Sequence, residues 1–450
     1  MKRTIPIWAA LAAPLLLAAP ARAGEPPSVP ALPPAAPAVP SGAAVAPSSA
    51  APAGESPGSA PKPASAPQDV TIEEVLRLLR QKSPRAAAQQ AAVDVAKAEV
   101  AVAGTYPNPR LGYFTYGGLV QSDYVNGSQH QLTLDVPLLV GGQVGARRAA
   151  AEAGVGAAQA QVTAARADLA TQARILFVGL LAQQERVRVA KETLADVQRA
   201  KVVVEGRSQS GTMSAYDLLR VETDAQAKVA EVAQAEADEE DAARRLAVLL
   251  GQPGWRPRAV GAFKPAAALP APASPPAVEA AKKDQQAAVA RVGVAEREWL
   301  PTPVVSLGAF ATTAGFGLAG YVGLSLDLPI ANQGQGAVAR ANAEARAADL
   351  SRSATEAEAG AELSRAQRAL EARRKALEGY QQTVAAKGPA LRQMAEDAYK
   401  LGQGGVLDLL DTLRTLGEIR AAQVEYTERV LLAEIDVLSA SGKVEPGSAP

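Results

Sequence analysis

The chain has 450 residues, of which 101 are alanine and only 17 are Phe, Trp or Tyr, so closely approaching helices are expected in place of a conventional globular core. Lys and Arg number 46 and Asp and Glu also 46, which leaves no basic field to hold nucleic acid. There is no cysteine and a single histidine, His130, which excludes disulfides, thiolate chemistry and the commonest zinc sites; no cofactor is expected.

Residues 1–23 read as an export signal: Lys2 and Arg3, an apolar stretch over 5–17, then Ala21-Arg22-Ala23 as a small-residue cleavage site. Residues 24–68 carry 13 prolines among Ala, Ser and Gly and read as a disordered leader. Order is expected from about Thr71, which forms a capping-box pattern with Glu74 ahead of Ile72, Val75, Leu76, Leu78 and Leu79. Ser83-Pro84 then starts a second helix that runs to about Gly104, with Ser as N-cap and Pro at the first helical position.

Between Pro137 and Pro253 there is no proline, and between Pro329 and Pro446 only Pro389. Proline inside a helix costs about 3 kcal/mol, so these stretches predict long helices over about 141–205 and 336–400, with a bend at Pro389. At about 1.5 Å per residue each is about 95 Å long. Returning helices are expected over about 214–250 and 405–440.

An internal repeat organises the whole chain. Leu132-Thr133-Leu134-Asp135-Val136-Pro137 returns 192 residues later as Leu324-Ser325-Leu326-Asp327-Leu328-Pro329, and Gly142, Gln143, Arg148 and Glu152 match Gly334, Gln335, Arg340 and Glu344 in the same register. Gly211 with Asp217-Leu218-Leu219 likewise answers Gly402 with Asp408-Leu409-Leu410. The first repeat is placed at 69–260, with strands about 109–118 and 129–137 and a tip near 206–217. A linker follows at 261–275. The second repeat takes 276–441, with strands about 303–312 and 319–329 and a tip near 400–411, ahead of a disordered tail at 442–450.

The strands alternate: Leu132, Leu134 and Val136 share one face, Gln131, Thr133 and Asp135 the other. Their length suits a tilted transmembrane β-strand, about 9 to 11 residues, and no later segment offers 18 uncharged apolar residues for a helix. Four strands cannot close a barrel, because in lipid every backbone group must be paired internally. Closure therefore requires several copies: two would give eight strands and three would give twelve.

Taken in this order, the duplicated plan, the Ser83-Pro84 helix start, the Tyr106-Pro107-Asn108-Pro109 lead into the first strand, the strand ends at Asp135/Pro137 and Asp327/Pro329, and the tip Tyr399-Lys400-Leu401-Gly402 followed by Asp408-Leu409-Leu410-Asp411 resemble the TolC-like outer-membrane efflux protein family. The likeness covers about residues 70–440. It implies an α+β membrane protein of two helix-strand-strand-helix-helix units. Three protomers would share a 12-stranded β-barrel, four strands each, in contact with outer-membrane lipid and continued by a long periplasmic α-helical barrel. The implied role is a passive exit duct of an efflux or type I secretion system, docking to a periplasmic adaptor and an inner-membrane transporter.

The resemblance also places roles on residues. Asp408 and Asp411 match family positions that line a periplasmic constriction, and Tyr399 and Asp217 match positions that hold the hairpins shut. Gly211, Gly402, Gly404, Gly405 and Arg207 fall in the tips that meet the adaptor. Where relatives often carry a basic residue this chain has Gly404-Gly405, so a closing ion pair is expected to be missing or moved to Arg207. Read from the residues alone, Asp408 and Asp411 equally suit the first turn of a helix, where acids favour the dipole, and Arg207 equally suits a solvated helix end.

Other polar residues read more simply. His130 is expected as a polar strand residue near a rim, Asp135 and Asp327 either as pathway acids or as strand-to-helix turns, and Glu240–Arg244 and Asp241–Arg245 as surface pairs on a helix. Trp299, two residues before Pro301, suits either an interfacial anchor or packing. The competing function, a periplasmic adaptor, also needs a long hairpin, but one hairpin with sizeable β domains. A hydrolase has no nucleophile motif or histidine-based dyad to support it.

Overall fold

The computed structural model describes residues 68–117, 128–209, 214–312 and 317–443. The expected export signal, nearly all of the proline-rich leader, Gly211 and residues 444–450 lie outside the described residues.

The first described strand starts at Gln68, three residues before the capping box. Strand β1 (Gln68–Val70) pairs in parallel with β4 (Pro257–Ala259), a pairing that neither three-residue segment announces by pattern. Helix α1 (Ile72–Lys82) starts as expected: the Glu74 amide donates to Thr71 Oγ1 at 3.4 Å and the Thr71 amide donates to Glu74 Oε2 at 3.2 Å. Val75, Leu76 and Leu79 then bury against Phe177, Leu180, Leu246 and Leu250. Ser83 holds the N-cap position of α2 (Pro84–Ala103) but makes no capping hydrogen bond; its hydroxyl is buried without a partner.

Strands β2 (Arg110–Tyr116) and β3 (Gln129–Pro137) lead to α3 (Gln143–Gln209), a single 67-residue helix of about 100 Å. It returns as α4 (Ala215–Leu249), whose N-cap Ser214 accepts from the Asp217 amide. The second half runs through α5 (Pro276–Glu298), β5 (Val304–Thr312), β6 (Leu318–Ser325) and α6 (Gln335–Thr383). A 3-10 turn at Ala385–Lys387 then separates α6 from α7 (Gly388–Lys400), and α8 (Val406–Ala440) closes the fold. The second long helix is thus broken just ahead of Pro389, because proline offers no donor to the preceding turn.

The four longer strands form one antiparallel sheet in the order β2-β3-β5-β6. The last strand stops at Ser325, short of the expected residue 329, because β5 begins only at Val304, which pairs with Ser325, and leaves no partner for the chain beyond. Asp327 and Pro329 therefore lie past the strand, while Asp135 and Pro137 remain within β3.

Helix packing relies on small residues. Ala170, Ala173, Ala182, Ala247, Ala287 and Ala433 are all essentially inaccessible. At the far end of α3, the two hairpins share a cluster of Val197, Val204, Val221, Tyr399, Leu409, Leu410 and Leu413. The expected 261–275 linker is tied down: Glu434, on α8, accepts from the Ala266 amide at 3.0 Å and from Arg374 at 2.6 Å.

Candidate functional site

The sheet separates two chemistries by register. Directly paired residues share a face, so Leu111, Leu134, Leu307 and Val322 line up across the four strands, with Val136, Val305 and Leu324 in the adjoining row. This face is apolar and exposed, Val322 at 78% and Leu324 at 72%. The opposite face carries Arg110, Asp135 and Ser306 in one row and Gly112, Thr133, Gly308 and Tyr321 in the next. There Ser306 donates to Asp135 Oδ1 at 2.6 Å, so the carboxylate is held within the sheet, whereas Asp327 is exposed in the loop beyond it. His130 falls on the apolar face with its Nδ1 2.8 Å from the Tyr113 hydroxyl.

The two hairpin ends are joined by a side chain from each. Arg207, in the last turn of α3, donates from Nη1 to the Tyr399 carbonyl at 3.0 Å and from Nη2 to the Lys400 carbonyl at 2.9 Å. Its guanidinium carbon lies 4.5 Å from the centroid of the Tyr399 ring. These carbonyls are among those α7 leaves unsatisfied at its end, so the cation meets the negative pole of that helix. Tyr399 is 3% exposed, and burial raises its phenol pKa above the ordinary 10.0; Arg207 opposes the shift, and the charge of Asp217 reinforces it.

The turn after α7 depends on Gly402, whose φ of 73° lies in the left-handed region. Gly404 and Gly405 follow, and Gly405 is the N-cap of α8. Lacking a side chain, it cannot cap the helix; instead its own amide donates to Asp408 Oδ2 at 2.9 Å. In the first hairpin Ser214 caps α4 and donates to Asp217 Oδ2 at 3.0 Å, so Asp217 and Asp408 occupy equivalent first-turn positions. Asp408 and Asp411 are both exposed, one turn apart, opposite the buried Leu409, Leu410 and Leu413.

Above the hairpin ends lies a charged cluster that pattern reading missed. Asp196, on α3 and with its side chain 4% exposed, pairs with Arg199 one turn on, with Arg392 of α7 and, at 3.0 Å, with Arg420 of α8. Arg392 also pairs with Glu396 at 3.0 Å. A signal was present: Asp196 lies seven residues after Val189 and four before Ala200, both apolar and buried, and so interrupts an apolar stripe. Arg392 and Arg420, about 200 residues away, gave none.

Among the described residues no group of three or more His, Asp or Glu is placed to hold a metal ion, and no helix is long and apolar enough to cross a membrane.

The chain is 26% identical over 370 residues to the cobalt-zinc-cadmium resistance protein CzcC of Cupriavidus metallidurans, covering 80% of this chain and 86% of the relative. In fold it is similar to CusC, with a TM-score of 0.69 at 18% identity over 82% of this chain and 92% of that one. It is similar also to the outer membrane protein VceC of Vibrio cholerae, with a TM-score of 0.65 at 19% identity over 82% and 96%. The family model for outer membrane efflux proteins matches residues 75–252 and 271–443, one segment for each repeat. With an open sheet apolar on one face, a duplicated pair of long helical hairpins and this match over most of its length, the chain belongs to the outer membrane efflux protein family and works as an efflux channel, not as an enzyme.

Proposed function

We propose that three copies of the chain assemble into one passive exit duct, each giving four strands to a 12-stranded barrel in the outer membrane and its helices to a periplasmic tunnel. The observation that carries this reading is the open sheet: among the described residues β2 and β6 are each paired on one side only, on a sheet whose apolar face is exposed. An unpaired backbone edge in hydrocarbon costs several kcal/mol per group, so β6 of one copy is completed by β2 of the next. Three is the count that the TolC-like plan implies. The hairpin ends then face the periplasm, where Arg207, Gly402, Gly404 and Gly405 meet an adaptor joined to an inner-membrane transporter, and Asp408 and Asp411 line the constriction. Tyr399 and Asp217 belong to the contacts that keep it closed.

Divalent cations are the cargo class this reading favours, since the relative CzcC is named for cobalt, zinc and cadmium resistance and the exposed acids Asp408 and Asp411 stand at the hairpin end. Light scattering of the detergent-extracted protein should give three times the chain mass. Because the chain has no cysteine, single cysteines placed on β2 and β6 should also form disulfides only between copies. A folded monomer, or disulfides within one chain, would overturn the assembly.

A further inference from the structure

On the face of the sheet opposite the lipid-type side chains, two rings lie over glycines. A Cβ at Gly308 would lie 2.4 Å from Tyr321 Cε1 and 2.5 Å from Cζ, so the Tyr321 ring covers the backbone of β5. A Cβ at Gly112 would lie 2.9 Å from Phe114 Cε2, so a second ring covers β2 in the same row. Tyr321 is fixed there: Gln131 Nε2 donates to its hydroxyl at 2.7 Å, and Thr133 Oγ1 lies 2.8 Å from it. Phe310 shares this face, in register with Gln131 and Phe114.

We infer that this surface is a solute-binding shelf inside the channel for planar aromatic molecules, cationic ones above all. The inference rests on the proposed barrel, which turns this face toward the pore, and adds an organic solute class to the divalent cations favoured at the hairpin ends. A ring lying over a glycine offers its free π-face to the lumen, and a π-face attracts cations and stacks with other rings. Phe114 and Phe310 are separated by β3 and hence by two strand spacings, about 10 Å, with Gln131 between them. A two- or three-ring planar solute laid across that interval reaches from one ring to the other over the row that holds Gln131. The hydrogen bonds on Tyr321 prevent its ring from swinging away, so binding loses little side-chain freedom.

The test is current block in planar bilayers, with the planar cation acridine orange as probe added to the assembled wild-type channel. Block is expected to be saturable. Phe310→Leu and Tyr321→Ala are each expected to weaken it about threefold to fivefold, and Phe114→Leu likewise. Tyr321→Phe, which keeps the ring but loses the hydroxyl contacts, should fall between Tyr321→Ala and wild type. Tyr113→Ala, the same loss on the opposite face, should leave block unchanged. Conducting variants with unaltered block overturn the shelf while leaving the channel intact. Block that follows Tyr113 instead overturns the assignment of faces. Absence of any conductance in the wild-type protein defeats the proposed duct itself. Should Tyr321→Ala fail to assemble, Phe310→Leu, which preserves an apolar side chain of similar bulk, decides the matter alone.

Discussion

Arg207 and Tyr399 lie 192 positions apart yet form one joint, the guanidinium stacked over the ring and bonded to the carbonyl of the same residue. Arg207→Ala removes the capping donors from α7 and the cation from the ring. Amide exchange at Gly402 and Gln403, whose N–H groups bond the Tyr399 and Ala398 carbonyls, should accelerate about tenfold. Arg207→Lys should recover only part of the protection, because an ammonium lacks the planar fork that spans two carbonyls. Unchanged exchange in Arg207→Ala would show that the joint does not hold the turn.

The buried phenol adds a pH signature. Tyr399 has a folded pKa raised above 10.0, chiefly by burial, so its neutral form stabilises the hairpin joint. That stability is complete below pH 10.0 and is lost as pH rises through the higher folded value. Tyr399→Phe should abolish this alkaline loosening, monitored as the exchange rate at Gln403 between neutral and strongly alkaline buffer. Equal pH profiles in both proteins would exclude Tyr399 as its source.

Asp196 neutralises part of an arginine cluster drawn from three helices. Asp196→Asn leaves those guanidiniums facing one another around a neutral amide. Removing one member of a buried pair costs about 3 to 5 kcal/mol. The Arg199 side chain is 64% exposed and partly solvated, so a cost just below that range, about 2 to 3 kcal/mol, is expected. The helical circular-dichroism signal during denaturant titration reports it, and an unshifted midpoint would show the cluster to be energetically idle.

Gly308 admits no side chain. A methyl group there meets the Tyr321 ring at 2.4 Å and also the Leu132 carbonyl oxygen at 2.7 Å. Gly308→Ala should therefore sharply reduce the trimer fraction on non-denaturing gels. Adding Tyr321→Ala should rescue it only in part, because the Leu132 backbone remains. Gly323→Ala, whose new methyl would sit 3.6 Å from Ser306 Cβ, should assemble normally.

For the proposed constriction, charge and capping can be separated at Asp408. Asp408→Asn keeps an oxygen for the Gly405 amide and loses the charge, whereas Asp408→Ala loses both. Combined Asp408→Asn and Asp411→Asn should lower cation selectivity in bilayer recordings with little loss of stability, and Asp408→Ala should add about 0.5 to 1.5 kcal/mol of destabilisation. Selectivity unaltered by the double Asn variant would remove these acids from the pathway.

Features that arise from local chemistry were legible in the sequence. Thr71 and Glu74 announced α1, the lack of proline announced α3, and Pro389 announced the break before α7. The two-residue alternation around Leu132 and Leu134 gave the sheet its two faces. What escaped depends on contacts between distant segments. The β1–β4 pair is defined only by partnership, Ser83 is a cap position whose hydroxyl the tertiary packing leaves unpartnered, and Asp196 draws two of its arginines from the other repeat. At the hairpin ends, Gly404-Gly405 marks the absence of a basic residue, but the reach of Arg207 across to Tyr399 depends on how the two hairpins pack and has no local signal.

The two halves of the chain descend from one plan, yet only the second carries a 3-10 turn, at Ala385–Lys387, within its outgoing arm; α3 continues unbroken through the corresponding stretch. In a ring of three copies, rigid and jointed arms would alternate around the axis. Any widening of the aperture would then be an iris motion of every second arm, pivoting on a fixed frame supplied by the others.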